Sequence, residues 1–374
     1  MSMDPRLATL LSRVRPSLAG IVPYTVPPEP PPVKLDANES PWPLPPEARA
    51  LVAERLAAID FHRYPDGRAS ALRTALAAYL DAHEDELVIG VGSDEAIAIL
   101  LGAFARPDEA GQEPTVLFPG PSFVMYGVTA KTHGLRPVEV PLKPDWSLDE
   151  AALHDAFLQE EPALAFWASP NNPTGNAFDP VVLRRLIHAH PRTLHVVDEA
   201  YGPFHRETPE ARAFTHASWL AELPQVALLG TLSKIGFAGA RLGWARLHPS
   251  LAYELEKVRQ PFNLNALGQQ LARLALTELR PTLEAQLRAI VRERAVLEAG
   301  LDACGVERFP SQANFILFRT PHDASGLRAA LLERGVAVRV FAKDPRLAGC
   351  VRVTVGTPDE NAAFLAALRE ALDR

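Results

Sequence analysis

Lys234 stands among small, apolar and glycine residues in the run Gly230-Thr-Leu-Ser-Lys-Ile-Gly-Phe-Ala-Gly-Ala-Arg-Leu-Gly-Trp244, directly after an apolar stretch. Such surroundings disfavour an ammonium and predict a lowered pKa, the condition a Schiff-base lysine needs. Taken alone, a surface lysine in a loop explains the run equally well. A second group changes the balance: Asp198 ends the apolar run Leu194-His-Val-Val-Asp, 36 positions before the lysine. Open α/β sheets bind ligands at the carboxyl ends of their strands. An aspartate there can keep a cofactor's pyridine nitrogen protonated, so that the ring becomes an electron sink. Its ordinary alternative is an N-cap or a strand-end ion pair. The third group is the turn Ser169-Pro-Asn-Asn-Pro-Thr-Gly-Asn176, again following an apolar run, Leu164-Ala-Phe-Trp-Ala168. Its residues are common turn formers. The conjunction of all three points to a cofactor site.

Groups placed in this way need strands that end at them. Short apolar runs predict strands over residues 87–91, 115–118, 136–140, 163–168, 194–197, 226–229 and 243–247, several of them continuous rather than alternating. Helical spacing over 48–59, 70–81 and 94–105 lies between them. Buried strands interleaved with helices imply an α/β fold, a mostly parallel sheet covered on both faces. A helical stretch over 267–303, broken at Pro281, then leads to a strand at 313–318, a helix at 326–334 and strands at 337–340 and 351–355. This predicts a second, smaller α/β domain. The expected division is an N-terminal proline-rich arm (1–33), a large domain (34–262) and a small C-terminal domain (263–374).

Composition is that of a folded globular protein. The 374 residues are 47% hydrophobic and 22% charged, and a chain of this length buries a full core. Its 38 basic and 45 acidic residues, net charge -7, are spread along the chain and show no basic face for nucleic acid. No apolar stretch approaches the ~20 residues that cross a bilayer, and Arg13 and Arg15 stand where a signal peptide needs small residues. A cytoplasmic protein is expected. Two cysteines, Cys304 and Cys350, are too few for a metal cluster or a disulfide framework. His188, His190 and His195 lie close in sequence, but Pro191 and a change from helix to strand separate them, so they are expected as surface and strand-end residues rather than metal ligands. Proline is in excess, 35 residues, and clusters from Pro23 to Pro46, where an extended arm anchored by Tyr24, Leu35 and Trp42 is expected.

Seven segments in order carry a resemblance: Lys34-Leu-Asp-Ala-Asn-Glu-Ser-Pro41, Arg63-Tyr-Pro-Asp66, Gly92-Ser-Asp-Glu95, Asn171-Asn-Pro-Thr-Gly175, Val197-Asp-Glu-Ala-Tyr201, Ser233-Lys234 and Val351-Arg-Val-Thr-Val-Gly356. From about Tyr24 onward the sequence resembles the pyridoxal-phosphate aminotransferases of the aspartate-aminotransferase fold (fold type I), and within them the histidinol-phosphate aminotransferases. The resemblance implies pyridoxal 5'-phosphate as cofactor, with Lys234 as Schiff-base lysine and proton carrier. It implies Asp198 at the pyridinium nitrogen, and Asn172 and Tyr201 at the ring's phenolate oxygen. Ser93, Asp94 and Glu95 at a helix start would bind the cofactor phosphate, together with Ser233 and Arg241. Arg241 follows the lysine by seven residues, one fewer than in many relatives. Phe123 would stack on the ring where relatives usually carry a tyrosine. Tyr64 would reach across a homodimer to the neighbouring active site.

For the substrate, the resemblance assigns Arg352 to a carboxylate, Arg339 and Tyr24 to a phosphate, and Asn38 and Asn172 to the pocket wall. The implied reaction is ping-pong amino transfer between L-histidinol phosphate and 2-oxoglutarate, in histidine biosynthesis. An aromatic-amino-acid aminotransferase or a threonine-phosphate decarboxylase would reuse the same cofactor residues. A non-catalytic ligand sensor fused to DNA-binding helices is disfavoured: the stretch before the core is short and proline-rich rather than basic, and the catalytic set is complete.

Overall fold

A computed structural model describes residues 4–23, 31–107 and 111–372. Within the stretch expected as an arm, Pro5–Leu11 forms a helix, α1, followed by a 3-10 turn at Pro16–Leu18. The helix has ordinary local causes that the proline count obscures. Asp4 accepts a hydrogen bond from the Arg6 N–H, and Pro5 takes an early position where its missing N–H is no loss. Tyr24 lies outside the described residues. The arm's end is tied down: Val33–Lys34 (β1) runs parallel to Val336–Ala337, and the Thr354 N–H donates to the Leu35 carbonyl at 2.9 Å.

Beyond helices α2 (Pro46–Ala57) and α3 (Ser70–Leu80), a seven-stranded sheet organises the molecule. Its strands are β2 (Leu87–Val91), β3 (Thr115–Gly120), β4 (Arg136–Pro141), β5 (Leu164–Ala168), β6 (Leu194–Asp198), β7 (Val226–Thr231) and β8 (Leu242–Leu247). The spatial order is β2-β8-β7-β6-β5-β3-β4, and β8 alone runs against the other six. The seven strands predicted for this part of the chain are all present, none with an end moved by more than two residues. Strands β3, β5, β6 and β7 are buried at every position, because helices cover both faces. Phe166 packs on one face with Ile97 and Leu100 of α4 (Gly92–Ala103) and Tyr126 and Ala130 of α5 (Met125–His133). Its neighbour Trp167 packs on the other face with Phe157 of α6 (Glu150–Glu160) and Leu183 and Ile187 of α7 (Pro180–Ala189). Each such buried side chain contributes on the order of 2 kcal/mol. Edge strand β4 is the exposed one, and Pro137 and Pro141 sit there, where no central ladder loses a donor.

His195 is not the strand-end surface residue expected. It is wholly buried inside β6, its Nε2 facing the His190 carbonyl at 3.0 Å and its Nδ1 accepting from the Trp167 indole N–H at 3.3 Å. Burial lowers its pKa from 6.5 to about 4. The native state holds the neutral ring, while the unfolded chain takes up a proton near 6.5. The ring's contribution is therefore whole above that pH and is lost as pH falls toward 4, about 2 kcal/mol by pH 5. Urea unfolding between about pH 7 and 5 should show a flatter pH dependence in His195→Gln. An unchanged slope would refute the assignment.

After α8 (Pro249–Glu256) come α9 (Ala266–Leu276) and α10 (Arg280–Ala303). The break expected at Pro281 falls instead at residues 277–279, where Thr277 leaves helical geometry; Pro281 sits in the first turn of α10, needing no N–H partner. A four-stranded antiparallel sheet comes next, in the order β12-β13-β10-β9. Its strands are β9 (Glu307–Arg308), β10 (Phe315–Arg319), β12 (Arg339–Val340) and β13 (Cys350–Thr354), while β11 (Val336–Ala337) pairs with β1. The single strand expected over 337–340 is thus two short ones serving different sheets. Helices α11 (Ala324–Glu333) and α12 (Pro358–Leu372) cover the sheet, and Phe318 packs against Phe364. No helix is long and apolar enough to cross a membrane, and no group of three or more possible metal ligands occurs among the described residues.

Candidate active site

Three of the strands, β5, β6 and β7, are adjacent and parallel, so the segments leaving their carboxyl ends meet along one edge of the sheet. Asp198 closes β6 and is 5% exposed. Its Oδ1 accepts from the Ala200 N–H at 2.9 Å and its Oδ2 from the Tyr126 hydroxyl at 2.7 Å. Burial raises the Asp198 pKa, opposed by these two hydrogen bonds and by the charge of Lys234. Burial and the facing carboxylate likewise keep the Tyr126 phenol protonated, well above its ordinary range. Sequence reasoning does not single out Tyr126. The one signal it leaves is its place three residues after Phe123, which puts both rings at the start of α5; they pack edge to face at 5.5 Å.

Lys234 comes after β7, between buried Leu232 and Ile235, with Nζ 5.9 Å from the Tyr201 ring centroid. The Tyr201 hydroxyl accepts from Asn38 Nδ2 at 2.9 Å. Asn38 is buried at φ 55°, a left-handed conformation that asparagine tolerates. Its N–H donates to Thr354 Oγ1 at 3.0 Å and its carbonyl accepts from Asn314 at 3.1 Å. Asn38 is therefore a tie between Tyr201 and the C-terminal sheet, in addition to its expected place near the pocket.

At the start of α4, Gly92 has φ +75°, and a Cβ there would lie 2.6 Å from Arg241 Nη2. A Cβ on Gly243 would lie 2.2 Å from the Ser93 nitrogen. The two glycines let β8 and the helix start close on one another, with Arg241 laid across the gap. Arg241 Nη1 is 3.4 Å from Ser233 Oγ and its Nη2 is 3.3 Å from Asp94 Oδ2. The Glu95 carboxylate instead turns back to the Val91 N–H and to Asn263 Nδ2, so only the backbone of Glu95 faces the helix entrance. Free N–H groups, a serine hydroxyl and an arginine make an anion cradle.

Asn171 fixes the turn after β5 through the Pro121 carbonyl at 2.9 Å and Thr174 Oγ1 at 2.8 Å. This leaves Asn172 free to face Arg352, whose Nη1 donates to its Oδ1 at 2.6 Å. Arg352 is 7% exposed on β13, donates also to the Asp36 carbonyl at 2.7 Å, and lies 5.3 Å over the Phe315 ring. Arg339 stands directly opposite Arg352 in the β12–β13 ladder. Directly opposed residues share a face, and like charges so placed repel unless an anion sits between them. Tyr64 is elsewhere: it is 84% exposed and stacked on Phe262 at 4.9 Å.

The donor set fits a pyridine ring bearing a phosphate. It offers a buried carboxylate, a glycine-lined anion cradle, a lysine, a phenol and an amide. The chain belongs to the class I and II aminotransferase family, whose model matches residues 30–368. Within that class its similar relatives are histidinol-phosphate aminotransferases. That of Polaromonas naphthalenivorans is 40% identical over 99% of this chain and 98% of its own length. Histidinol-phosphate aminotransferase 2 of Nitrosococcus oceani is 42% identical over 95% and 96%. The crystal structure of the Sinorhizobium meliloti enzyme in complex with pyridoxal-5'-phosphate superposes with TM-score 0.85 at 25% identity, covering 97% of this chain and 98% of that one.

Proposed function

We propose that this chain is a pyridoxal-phosphate-dependent aminotransferase that moves the amino group of L-histidinol phosphate to 2-oxoglutarate, by a ping-pong route, in histidine biosynthesis. The observation that carries the substrate assignment is the opposed pair Arg339 and Arg352 beside Asn172. When bound, the cofactor supplies a carbonyl carbon that takes the amino group and a ring that takes up electron density from the substrate Cα.

The chain's own groups do the rest. Lys234 Nζ takes the proton from the substrate Cα and returns one in the reverse half-reaction. Asp198, held by Tyr126 and Ala200, stays ionised opposite the ring nitrogen and keeps a proton there. The Tyr201 hydroxyl, oriented by Asn38, and Asn172 Nδ2 donate to the ring's phenolic oxygen. The N–H groups of Ser93, Asp94 and Glu95 hold the cofactor phosphate with Ser233 and Arg241, and Phe123 covers one ring face.

Arg352 forks onto the carboxylate of glutamate, the product amino acid, and Arg339 with Tyr24 takes the phosphate of the other substrate. The three-part division at residues 33 and 262, a cytoplasmic site of action and a homodimer completed by Tyr64 of the partner belong to the same proposal. Exposure of the Tyr64–Phe262 stack supports the last of these.

Arg339→Gln should raise KM for histidinol phosphate by roughly 10- to 100-fold, the loss of charge-assisted hydrogen bonds to one phosphate. KM for 2-oxoglutarate should move far less. Equal effects on both would remove Arg339 from the phosphate end. The function itself is tested by comparing kcat/KM for histidinol phosphate and phenylalanine as amino donors. A higher value for phenylalanine would make the chain an aromatic-amino-acid aminotransferase, and release of carbon dioxide from threonine phosphate would make it a decarboxylase.

A further inference from the structure

A charged cavity lies between α10 and the loop after Tyr201, and Lys234, Asp198 and Arg352 are not among its walls. Its volume of about 320 Å³ is at the small end of ligand sites. Helix α10 contributes Val291, Arg294, Ala295 and Glu298, at the i, i+3, i+4, i+7 spacing of one face, and Arg292 beside them.

Arg294 is 8% exposed, and its Nη1 donates to the Phe204 carbonyl at 3.1 Å and the Ala313 carbonyl at 2.8 Å. Among the described residues no carboxylate lies within ion-pair distance of it, and Nε and Nη2 have no hydrogen-bond partner. The other arginines are taken. Arg206 donates to the Pro203 and Ala211 carbonyls and to Glu284, and Arg292 pairs with Glu210 at 3.5 Å. Glu298, one turn beyond Arg294, is attracted by Arg294 and by Arg308 without touching either, and forms no ion pair among the described residues. A buried cation and a half-buried anion, both unpaired, are costly as they stand.

A ligand that answers both must carry an anion and a cation a few atoms apart. A phosphate dianion fits poorly, because the carboxylates of Glu207 and Glu298 both line the walls. We propose that this cavity binds a free α-amino acid, its carboxylate on Arg294, its ammonium on Glu298, and its side chain against Val291, Ala295 and Pro209. Since Arg294 joins the Phe204 and Ala313 carbonyls, the site spans the stretch just after Tyr201 and the approach to β10.

Calorimetric titration of the holoenzyme with L-valine, L-leucine and L-histidine tests this. At least one should bind with the same affinity to wild type and to Arg352→Gln, whose active site is impaired. In Glu298→Gln the affinity should fall roughly tenfold or more, the worth of a hydrogen bond to a charged group. Arg294→Lys should do the same, and Glu298→Gln, nearly isosteric, serves if that variant fails to fold. Binding by none of the three, or binding that Glu298→Gln leaves intact, overturns the site.

Discussion

Lys234→Ala is expected to fold like the wild type and to transaminate at least about 10⁴-fold more slowly, because the proposed mechanism uses this one amine as both nucleophile and base. Folding should survive because Nζ makes no hydrogen bond or ion pair among the described residues. The turn is held instead by Thr231, whose Oγ1 sits 2.9 Å from both Ser233 Oγ and the Leu242 carbonyl, and by buried Leu232 and Ile235. Truncation at residue 234 thus leaves no orphaned partner and empties no core position. Circular dichroism and thermal unfolding check the fold, and single-turnover amino transfer from histidinol phosphate checks the chemistry. Turnover within tenfold of wild type would sink the lysine assignment.

The lysine is legible in the sequence because three adjacent parallel strands each end in a chemical group. Continuous apolar runs are a strong signal where a sheet is covered on both faces, and β5, β6 and β7 are buried at every position. The residues just after each of these runs therefore lie at the ligand edge by construction. Contacts made across the fold leave no such trace. The resemblance puts Asn38 at the pocket wall, but nothing local announces its hydrogen bonds to Tyr201, Thr354 and Asn314. No motif in the sequence marks Tyr126 as a site residue, and only the packing of α5 against the sheet brings its hydroxyl to Asp198.

Composition can also hide local chemistry. Asp4 and Pro5 start a helix ahead of the Pro23–Pro46 cluster, within the segment expected as a proline-rich arm. Pro281 reads as a helix break, yet it opens a helix. The facing of Arg339 and Arg352 depends on the register of β12 and β13, which two residues of strand cannot announce. Histidines 190 and 195 illustrate the same limit: one ring is buried against Trp167, while the other lies 3.0 Å from His154.

Asp198→Asn should lower kcat by ~10²–10³-fold, the usual cost of removing one preorganised charge from an active site. An amide cannot hold a proton on the ring nitrogen opposite, whereas a carboxylate with its charge intact can. The substitution should be mild structurally. The amide oxygen can keep the Ala200 N–H, and the amide nitrogen can face Tyr126, whose hydroxyl rotates from donor to acceptor.

Tyr126→Phe separates the charge from the scaffold that maintains it. Burial raises the Asp198 pKa and the Tyr126 hydrogen bond lowers it, so removing the hydroxyl moves the pKa further up. Activity that needs the ionised carboxylate is then lost at a higher pH on the acid side, while the plateau at higher pH is largely kept. The pH profile of kcat distinguishes this from simple loosening of the core, which would lower the plateau and leave the acid limb in place. The two variants together decide the assignment, since Asp198→Asn must lower the plateau and Tyr126→Phe must move the limb. If Asp198→Asn keeps wild-type kcat across the profile, the buried carboxylate is structural and the ring nitrogen must be sought elsewhere.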